Sequence, residues 1–187
     1  MTKTISLKTK QQTKLLLLDL DDTVMFNNSA LSTAAQELTG KFMPRSEVSK
    51  LARKIKRPIY YLAATKYTYL MTPNEAMLRT INAGINQKDV IILTARADSV
   101  LQNTLEMLGR HNIPYDQLIM REEKFLGVED EIWKAEKIKE ILETGNYSQI
   151  ELYEDKIDNI EYFMKQFNQE QISYFHVTPQ GIIPLNR

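Results

Sequence analysis

Residues 15–23 have the sequence LLLLDLDDT, and this stretch decides the fold of the chain. Four consecutive leucines bounded by charged residues are too few to span a membrane and are typical of a strand buried on both faces of a parallel sheet. Asp19 and Asp21 follow that strand directly. Open α/β sheets bind ligands at the carboxyl ends of their strands, so the stretch predicts a site there. Asp-rich turns also follow strands without any chemistry, and the stretch by itself leaves both interpretations open.

The composition is that of a globular protein. The 187 residues are 43% hydrophobic, which suits one core domain with an insertion, and Lys plus Arg and Asp plus Glu both number 24. The absence of cysteine excludes a disulfide framework and a thiolate zinc site, and it fits a reducing compartment. The first residues lack the apolar core of a signal peptide, and no apolar run approaches the ~18 residues of a membrane span. We therefore expect a soluble, cytoplasmic protein.

Helix signals without a strong strand signal follow the leucine stretch. We predict a flexible tail over residues 1–13, a core domain over 14–26 and 86–187, and a helical cap insertion over 27–85. Within the insertion, the predicted helices cover residues 29–38, 46–55, 58–71 and 73–83. Thr72 is the predicted N-cap of the last helix, because Pro73 suits the first helical position and Glu75 completes a capping box.

From Asp89 onward the chain alternates between strand and helix patterns. The predicted strands cover residues 90–93, 117–120, 150–153 and 172–177, and the predicted helices cover 99–108, 130–143, capped by Gly145, and 157–167. Such a βαβ series with right-handed crossovers gives a three-layer α/β domain. We expect a parallel sheet of about five strands, with the helical cap above its carboxyl edge.

Polar side chains follow the predicted strands where the topology places a site. Thr94 and Arg96 end the second strand, and Glu154 and Asp155 end the fourth. Lys134 lies in the first turn of the helix before the fourth strand. That helix begins at the same edge of the sheet. Together with the two aspartates of the first stretch, these residues predict a cluster of carboxylates, a hydroxyl and a cation.

This set and its chain order resemble the haloacid dehalogenase (HAD) superfamily of phosphohydrolases. The matching motifs are DLDDT at 19–23, IILT at 91–94, Lys134 and LYED at 152–155. Two-component receiver domains use similar residues, but their phosphoacceptor aspartate follows a later strand. Within the superfamily, residues 94–96, 130–134 and 153–155 look most like the 3′-phosphatase domain of phage polynucleotide kinase-phosphatases. The chain differs from that family at Ala30, where the family has an arginine, and at Glu154, where it has an aspartate.

The resemblance implies a Rossmannoid core and a Mg²⁺-dependent phosphatase that works through an aspartyl-phosphate. Asp19 would be the nucleophile, and Mg²⁺ would bind Asp19, the carbonyl of Asp21 and Asp155, with Glu154 as a further ligand or a hydrogen-bonding neighbour. Asp21, crowded by like charge, is expected to protonate more easily and to serve as general acid and base. Two further residues, Thr94 and Lys134, would hold the phosphoryl oxygens. Thr23 and Arg96 are predicted to contact the substrate.

Several of these residues also have simpler interpretations. Lysines on helices are usually solvated, and Lys137 and Lys139 compete with Lys134, which we prefer because only the first helical turn lies near the predicted crevice. Asp158 is more typical of a first-turn helix acid than of a metal ligand. The chain's one tryptophan and two histidines, Trp133, His111 and His176, are more typical of packing than of chemistry.

The insertion carries most of the unbalanced positive charge. Between Lys41 and Lys66, eight basic residues face a single acid, Glu47. The run is either a solvated helix face or a lid that binds polyanions, and its position after the first motif favours the lid. The substrate contacts predicted for it are Arg53, Lys54, Lys56 and Arg57, with stacking by Tyr60, Tyr61, Tyr67 or Tyr69, although such tyrosines are more often packing residues.

Three functions remain open at this level. The first is a phosphatase that acts on DNA or RNA ends, and the second applies the same chemistry to a nucleotide or another small metabolite. The third is a catalytically silent binding module on the same scaffold, which the presence of both Asp19 and Asp21 disfavours. No GxxxxGK[ST] motif occurs, so no kinase activity is predicted.

Overall fold

The structure is a computed structural model that describes residues 13–144, 147–167 and 170–185. Its strands are β1 Thr13–Leu18, β2 Met25–Phe26, β3 Thr72–Pro73, β4 Lys88–Ala97, β5 Gln117–Arg121, β6 Tyr147–Glu154, β7 Ile172–Thr178 and β8 Gly181–Leu185. Its helices are α1 Asn28–Thr39, α2 Arg45–Val48, α3 Arg53–Thr65, α4 Glu75–Gly84, α5 Leu101–Arg110, α6 Asp130–Thr144 and α7 Ile157–Gln166. Short 3₁₀ helices cover Thr68–Leu70, Asp98–Val100 and Glu123–Phe125. The predicted tail, up to residue 12, and the predicted Gly145 cap lie outside the described residues.

A six-stranded sheet forms the centre of the molecule, in the order β5-β4-β1-β6-β7-β8. The pairs from β5 to β7 are parallel, and only β8 runs antiparallel to its neighbour β7. β1 pairs with β4 on one side and β6 on the other, so its leucines are covered on both faces. Leu16 and Leu18 pack into one hydrophobic layer, and Leu15 and Leu17 into the opposite one. The predicted three-layer α/β fold is confirmed, and β8 is a strand that the sequence did not predict.

The chain leaves the core after β2 and returns at β3, and these two short strands pair antiparallel. We call residues 27–71, between them, the cap segment. Its helices α1 and α3 pack on each other through small and branched side chains, among them Ala34, Ile59 and Ala63. No helix in the described part of the chain is long and apolar enough to cross a membrane.

Two predicted helix boundaries in the cap segment are wrong. The helix predicted over 46–55 ends at Val48, and α3 begins at Arg53 and continues through Pro58 to Thr65. Proline removes one helical hydrogen bond, since it has no N–H. The burial of Ile59 and Ala63 against α1 outweighs that loss, so Pro58 lies inside the helix that it was predicted to start.

The helix before β4 also begins later than predicted. Asn74 is its N-cap, because the Asn74 side chain accepts hydrogen bonds from the backbone N–H groups of Ala76 and Met77. Pro73 instead pairs with Met25 in the short β2–β3 ladder. α4 packs on the sheet so closely that a Cβ at Gly84 would lie 2.9 Å from Leu16 Cδ1. The division into core and cap at residues 27 and 85 stays a prediction.

Candidate active site

The turn after β1 presents the first motif to the carboxyl edge of the sheet. The Asp19 N–H donates to the Tyr153 carbonyl at 2.9 Å, which extends the ladder by one residue beyond β1. The chain then folds back, and the N–H groups of Val24 and Met25 both donate to the Leu20 carbonyl. Asp22 adopts a φ of 64°, a left-handed conformation that aspartate tolerates better than most residues. This turn fixes Asp19 at the base of a cleft.

Lys134 joins the first and last motifs in a buried ion-pair network. Its Nζ lies 2.5 Å from Asp19 Oδ1 and 2.7 Å from Glu154 Oε2, and the Lys134 side chain is only 4% exposed. By contrast, Lys137 and Lys139 pair with glutamates of their own helix. The structure therefore places Lys134, and not its two competitors, in the cluster.

Burial and crowding shift the pKa values of this network. Burial, together with the neighbouring Glu154 carboxylate, raises the pKa of Asp19 to about 6, although Lys134 opposes the shift. Burial would lower the pKa of Lys134, but Asp19 and Glu154 outweigh it and raise that pKa above its usual range. Lys134 therefore stays charged. Asp19 is ionised at neutral pH, which is the form a nucleophile needs.

The expectation that Asp21 protonates easily is wrong for this structure. Arg96 Nε and Nη2 lie 2.8 and 2.7 Å from the two carboxylate oxygens of Asp21, and Asn27 Nδ2 donates to Oδ1 at 3.0 Å. Burial would raise the pKa of Asp21, but the Arg96 guanidinium outweighs it and lowers that pKa to about 2. The Arg96 guanidinium, which binds both oxygens of Asp21, therefore affects this pKa more than the neighbouring carboxylates that the sequence had suggested as dominant.

Two residues predicted to contact the substrate hold other groups instead. Thr23 is fully buried, and its hydroxyl donates to Asp19 Oδ2 at 3.2 Å, so it orients Asp19 and does not line the cleft. Arg96 lines the cleft, but its three guanidinium nitrogens already contact Asp21 and Thr104. Thr94 also lines the cleft, where its hydroxyl accepts from the Arg96 N–H at 3.2 Å.

A group of three carboxylates fits a hard divalent cation. Asp19, Glu154 and Asp155 each offer an oxygen, and these oxygens lie within 4.8 Å of one another. Burial raises the pKa values of Glu154 and Asp155, and the neighbouring carboxylates reinforce both shifts. The amide Nδ2 of Asn159 borders the same cleft and is buried without a partner among the described residues. Carboxylate oxygens suit Mg²⁺, which keeps several of its waters, whereas the Asn159 Nδ2 is a hydrogen-bond donor and does not bind a metal.

The cluster forms the floor of a cleft of about 1000 Å³ beneath the cap segment. Of the four predicted basic contacts, Arg53, Lys56 and Arg57 line this cleft, whereas Lys54 is exposed and does not. The Arg53 and Arg57 guanidiniums contact the Leu126 carbonyl across the cleft.

The tyrosines of the cap segment divide in the same way. Tyr60 and Tyr61 line the cleft, but Tyr67 and Tyr69 do not, and the Tyr67 hydroxyl contacts Glu37. Trp133 is buried in the core, and His176 Nε2 lies 3.0 Å from the Asp155 carbonyl. Two of the four tyrosines therefore remain available for stacking.

The loops around the cleft are tied together by Asp130. Its Oδ1 lies 2.7 Å from Arg121 Nη2 and its Oδ2 lies 2.8 Å from Lys156 Nζ, so the start of α6 is fixed beside the loops that follow β5 and β6. Burial would raise the pKa of Asp130, but Lys156 and Arg121 outweigh it and lower it. Asp158 is exposed in the first turn of α7, as expected of a helix acid.

Sequence reasoning missed Arg45, a charged residue that contacts the carboxylates of the site. Arg45, the first residue of α2, forms ion pairs with Asp22 and with Asp155 Oδ2, the latter at 2.8 Å. It belongs to the basic run between Lys41 and Lys66, but nothing in that run's spacing distinguishes it. Its partners lie far along the chain, so only the fold brings them together.

No protein-family model and no curated protein matches the sequence. A chain of the Pnkp1/Rnl/Hen1 complex is similar in structure, with a TM-score of 0.60 and 20% identity over 89% of this chain and 45% of that one. A haloacid dehalogenase-like hydrolase from Streptococcus pneumoniae has a TM-score of 0.59 and 14% identity over 87% of this chain and 83% of its own. A haloacid dehalogenase-like hydrolase from Burkholderia xenovorans has a TM-score of 0.61 and 11% identity over 87% and 81%. The predicted haloacid dehalogenase fold is confirmed.

Proposed function

We propose that this protein is a Mg²⁺-dependent phosphatase that hydrolyses phosphate monoesters through an aspartyl-phosphate on Asp19. The observation that carries the proposal is the buried Asp19–Lys134–Glu154 network at the end of the central strand, with Asp155 beside it. An ionised carboxylate at a cleft floor is a suitable nucleophile, and a lysine beside it can neutralise phosphoryl oxygens. The fold supports a hydrolase of the haloacid dehalogenase type, and the haloacid dehalogenase motifs of the sequence support the phosphatase chemistry.

The side chains suit both half-reactions. An oxygen of Asp19 attacks phosphorus, the phosphorus bond to the substrate oxygen breaks, and Lys134 balances the charge. Mg²⁺ held by Asp19 and Asp155, with Glu154 beside them, would lessen repulsion between the nucleophile and the phosphate, which is about 5 kcal/mol per unit-charge pair at ~3.5 Å and a dielectric of ~20. Asp21, held ionised by Arg96, is ready to take a proton from the water that hydrolyses the aspartyl-phosphate. The leaving oxygen of the first half-reaction also needs a proton, and Asp21 could donate one only after a looser Arg96–Asp21 pair had allowed Asp21 to become protonated.

Chelation of the metal tests this chemistry. We expect EDTA to abolish turnover of a phosphorylated substrate and excess Mg²⁺ to restore it, because the carboxylate group of the cleft needs a divalent cation to admit a phosphate dianion. The measurement is release of inorganic phosphate, with Asp155→Ala as a variant that should need more Mg²⁺ for half-maximal rate. Undiminished activity in excess chelator would disprove the metal dependence.

The cap segment supports a nucleic-acid end as the substrate. α3 presents Arg53, Lys56, Arg57 and the rings of Tyr60 and Tyr61 to the cleft that holds the reacting carboxylate. Cations beside aromatic rings suit backbone phosphates and stacked bases, the latter at about 1–3 kcal/mol per base. We propose a polynucleotide 3′-phosphatase, in agreement with the motif resemblance. A preference for free nucleotides or other small phosphate esters would favour the alternative function, a nucleotidase or small-metabolite phosphatase.

The cytoplasmic location also remains a proposal, based on the cysteine-free composition.

Salt dependence distinguishes these substrates. For a 3′-phosphorylated oligonucleotide we expect kcat/KM to fall steeply as salt rises, and much less for a 3′-mononucleotide. The double variant Lys56→Ala with Arg57→Ala should flatten the oligonucleotide slope by about 0.7 per lost phosphate contact on a log–log plot. Lys50→Ala with Lys54→Ala removes the same charge from residues outside the cleft and should keep the slope. Equal slopes in both double variants would reject the basic lid.

A further inference from the structure

Arg45 connects the cap segment to the carboxylates on the floor of the cleft. Its Nη1 contacts Asp22 Oδ2 and lies 2.8 Å from Asp155 Oδ2. Asp155 belongs to the carboxylate group that fits a divalent cation. One cation of the cap segment therefore already pairs with a carboxylate of that group.

The surrounding backbone fixes both ends of this contact. The Arg45 N–H donates to Asn28 Oδ1 at 2.9 Å, which holds the start of α2 against the start of α1. The other oxygen of Asp22 accepts from the Asn27 N–H at 2.9 Å. The guanidinium is thus held between a fixed helix start and a fixed turn, and its side chain is only 22% exposed.

We propose that Arg45 is a positioning residue that fastens the cap segment to the core and competes with the divalent cation for Asp155. A guanidinium and a dication beside the same carboxylate repel each other, and each lowers the charge that Asp155 offers to the other. Binding of the divalent cation therefore weakens the Arg45–Asp155 contact, and that contact weakens binding of the cation by the same free energy. Loading of the metal releases Arg45 from Asp155 and loosens α2 above the cleft.

This inference rests on the metal-dependent phosphatase proposed above, but its test needs no turnover. Calorimetry of Mg²⁺ binding to the chelator-treated full chain should give a Kd for Arg45→Gln that is roughly 1.5- to fivefold tighter than that of the unaltered protein, the range that a partly exposed ion pair allows. Arg45→Lys keeps the charge and should stay near the unaltered Kd. Arg53→Gln removes the same charge from the cleft without touching a carboxylate, so its Kd should not change.

The outcomes separate the inference from the proposed function. If the unaltered protein fails to bind Mg²⁺, both are wrong. If it binds, and Arg45→Gln binds equally or more weakly, only the competition is wrong, because a merely structural role for Arg45 predicts weaker binding. Amide exchange over residues 41–52 gives a second readout: Mg²⁺ should accelerate it in the unaltered protein and change it little in Arg45→Gln. Exchange that Mg²⁺ leaves unchanged in the unaltered protein would overturn the release of α2.

Discussion

We expect the replacement of Asp19 with Asn to lower the proposed phosphatase activity by at least about 10³-fold and to make the metal-free protein harder to unfold. Activity is lost because an amide is not a nucleophile. The shape is kept, since the Asn oxygen can still accept from Lys134 Nζ, which lies 2.5 Å from Asp19 Oδ1. Near-normal turnover by a folded Asn variant would remove Asp19 from the mechanism.

The stability change follows from the pKa of Asp19. Burial, with Glu154 nearby, raises that pKa from 3.8 to about 6. A carboxyl whose pKa is higher in the folded state loses stability as pH rises from about 4 through 6, and above this window the loss is on the order of 2–3 kcal/mol. The Asn variant has no such loss. Its melting temperature in chelator should exceed that of the unaltered protein at pH 7.5, and the gap should close at pH 4.

A control is available on α7. Asp158→Asn removes an exposed first-turn acid from the cleft border, so it should lower the stability at pH 7.5 by at most about 1 kcal/mol, opposite in sign to the change expected at Asp19. If Asp19→Asn instead melts at a lower temperature in chelator, the ionised carboxylate stabilises the fold, and the crowding argument is wrong.

We expect the replacement of Lys134 with Met to abolish the proposed activity and to destabilise the fold by about 3–5 kcal/mol. The methionine fills similar space but leaves Asp19 and Glu154 buried together without a cation. Chemical denaturation measures the effect. Lys137→Met, on the same helix, breaks a pair with the exposed Glu140 and should change the free energy of unfolding by less than about 0.5 kcal/mol.

A second substitution tests the cause of this loss. Glu154→Gln in the Lys134→Met background removes one of the stranded charges, so the double variant should regain part of the lost stability. Additive losses in the double variant would show that Lys134 contributes packing, and not charge compensation.

The fold and the positions of the site residues could be predicted because their signals are local. The buried leucines, the strand and helix alternation after Asp89 and the polar strand ends all follow from short-range pattern and from the rule that strands of a parallel sheet share one edge. That rule is enough to bring Asp19, Lys134 and Asp155 together.

The remaining features depend on contacts between distant residues. Arg96 reverses the expected pKa shift of Asp21 through a pair that no spacing reveals. Arg45 reaches Asp155 only in the folded chain. Pro58 is tolerated within α3 because tertiary packing outweighs a local preference, and Asn74 takes the cap position when Pro73 joins a ladder. Charge pairs and packing over long separations were the information that the sequence lacked.

The central position of β1 also has a consequence for the order in which the protein assembles. Among the described strands β1 is the first to be synthesised, yet its register joins Leu16 to Val90 and Glu151. β4 can pair with β1 once residue 92 has left the ribosome, but the other side of β1 stays unpaired until residues near 153 have followed, because distant strand pairing forms late. Incomplete chains are expected to aggregate or recruit chaperones, and Asp19 cannot meet Lys134 before residue 134 has left the ribosome.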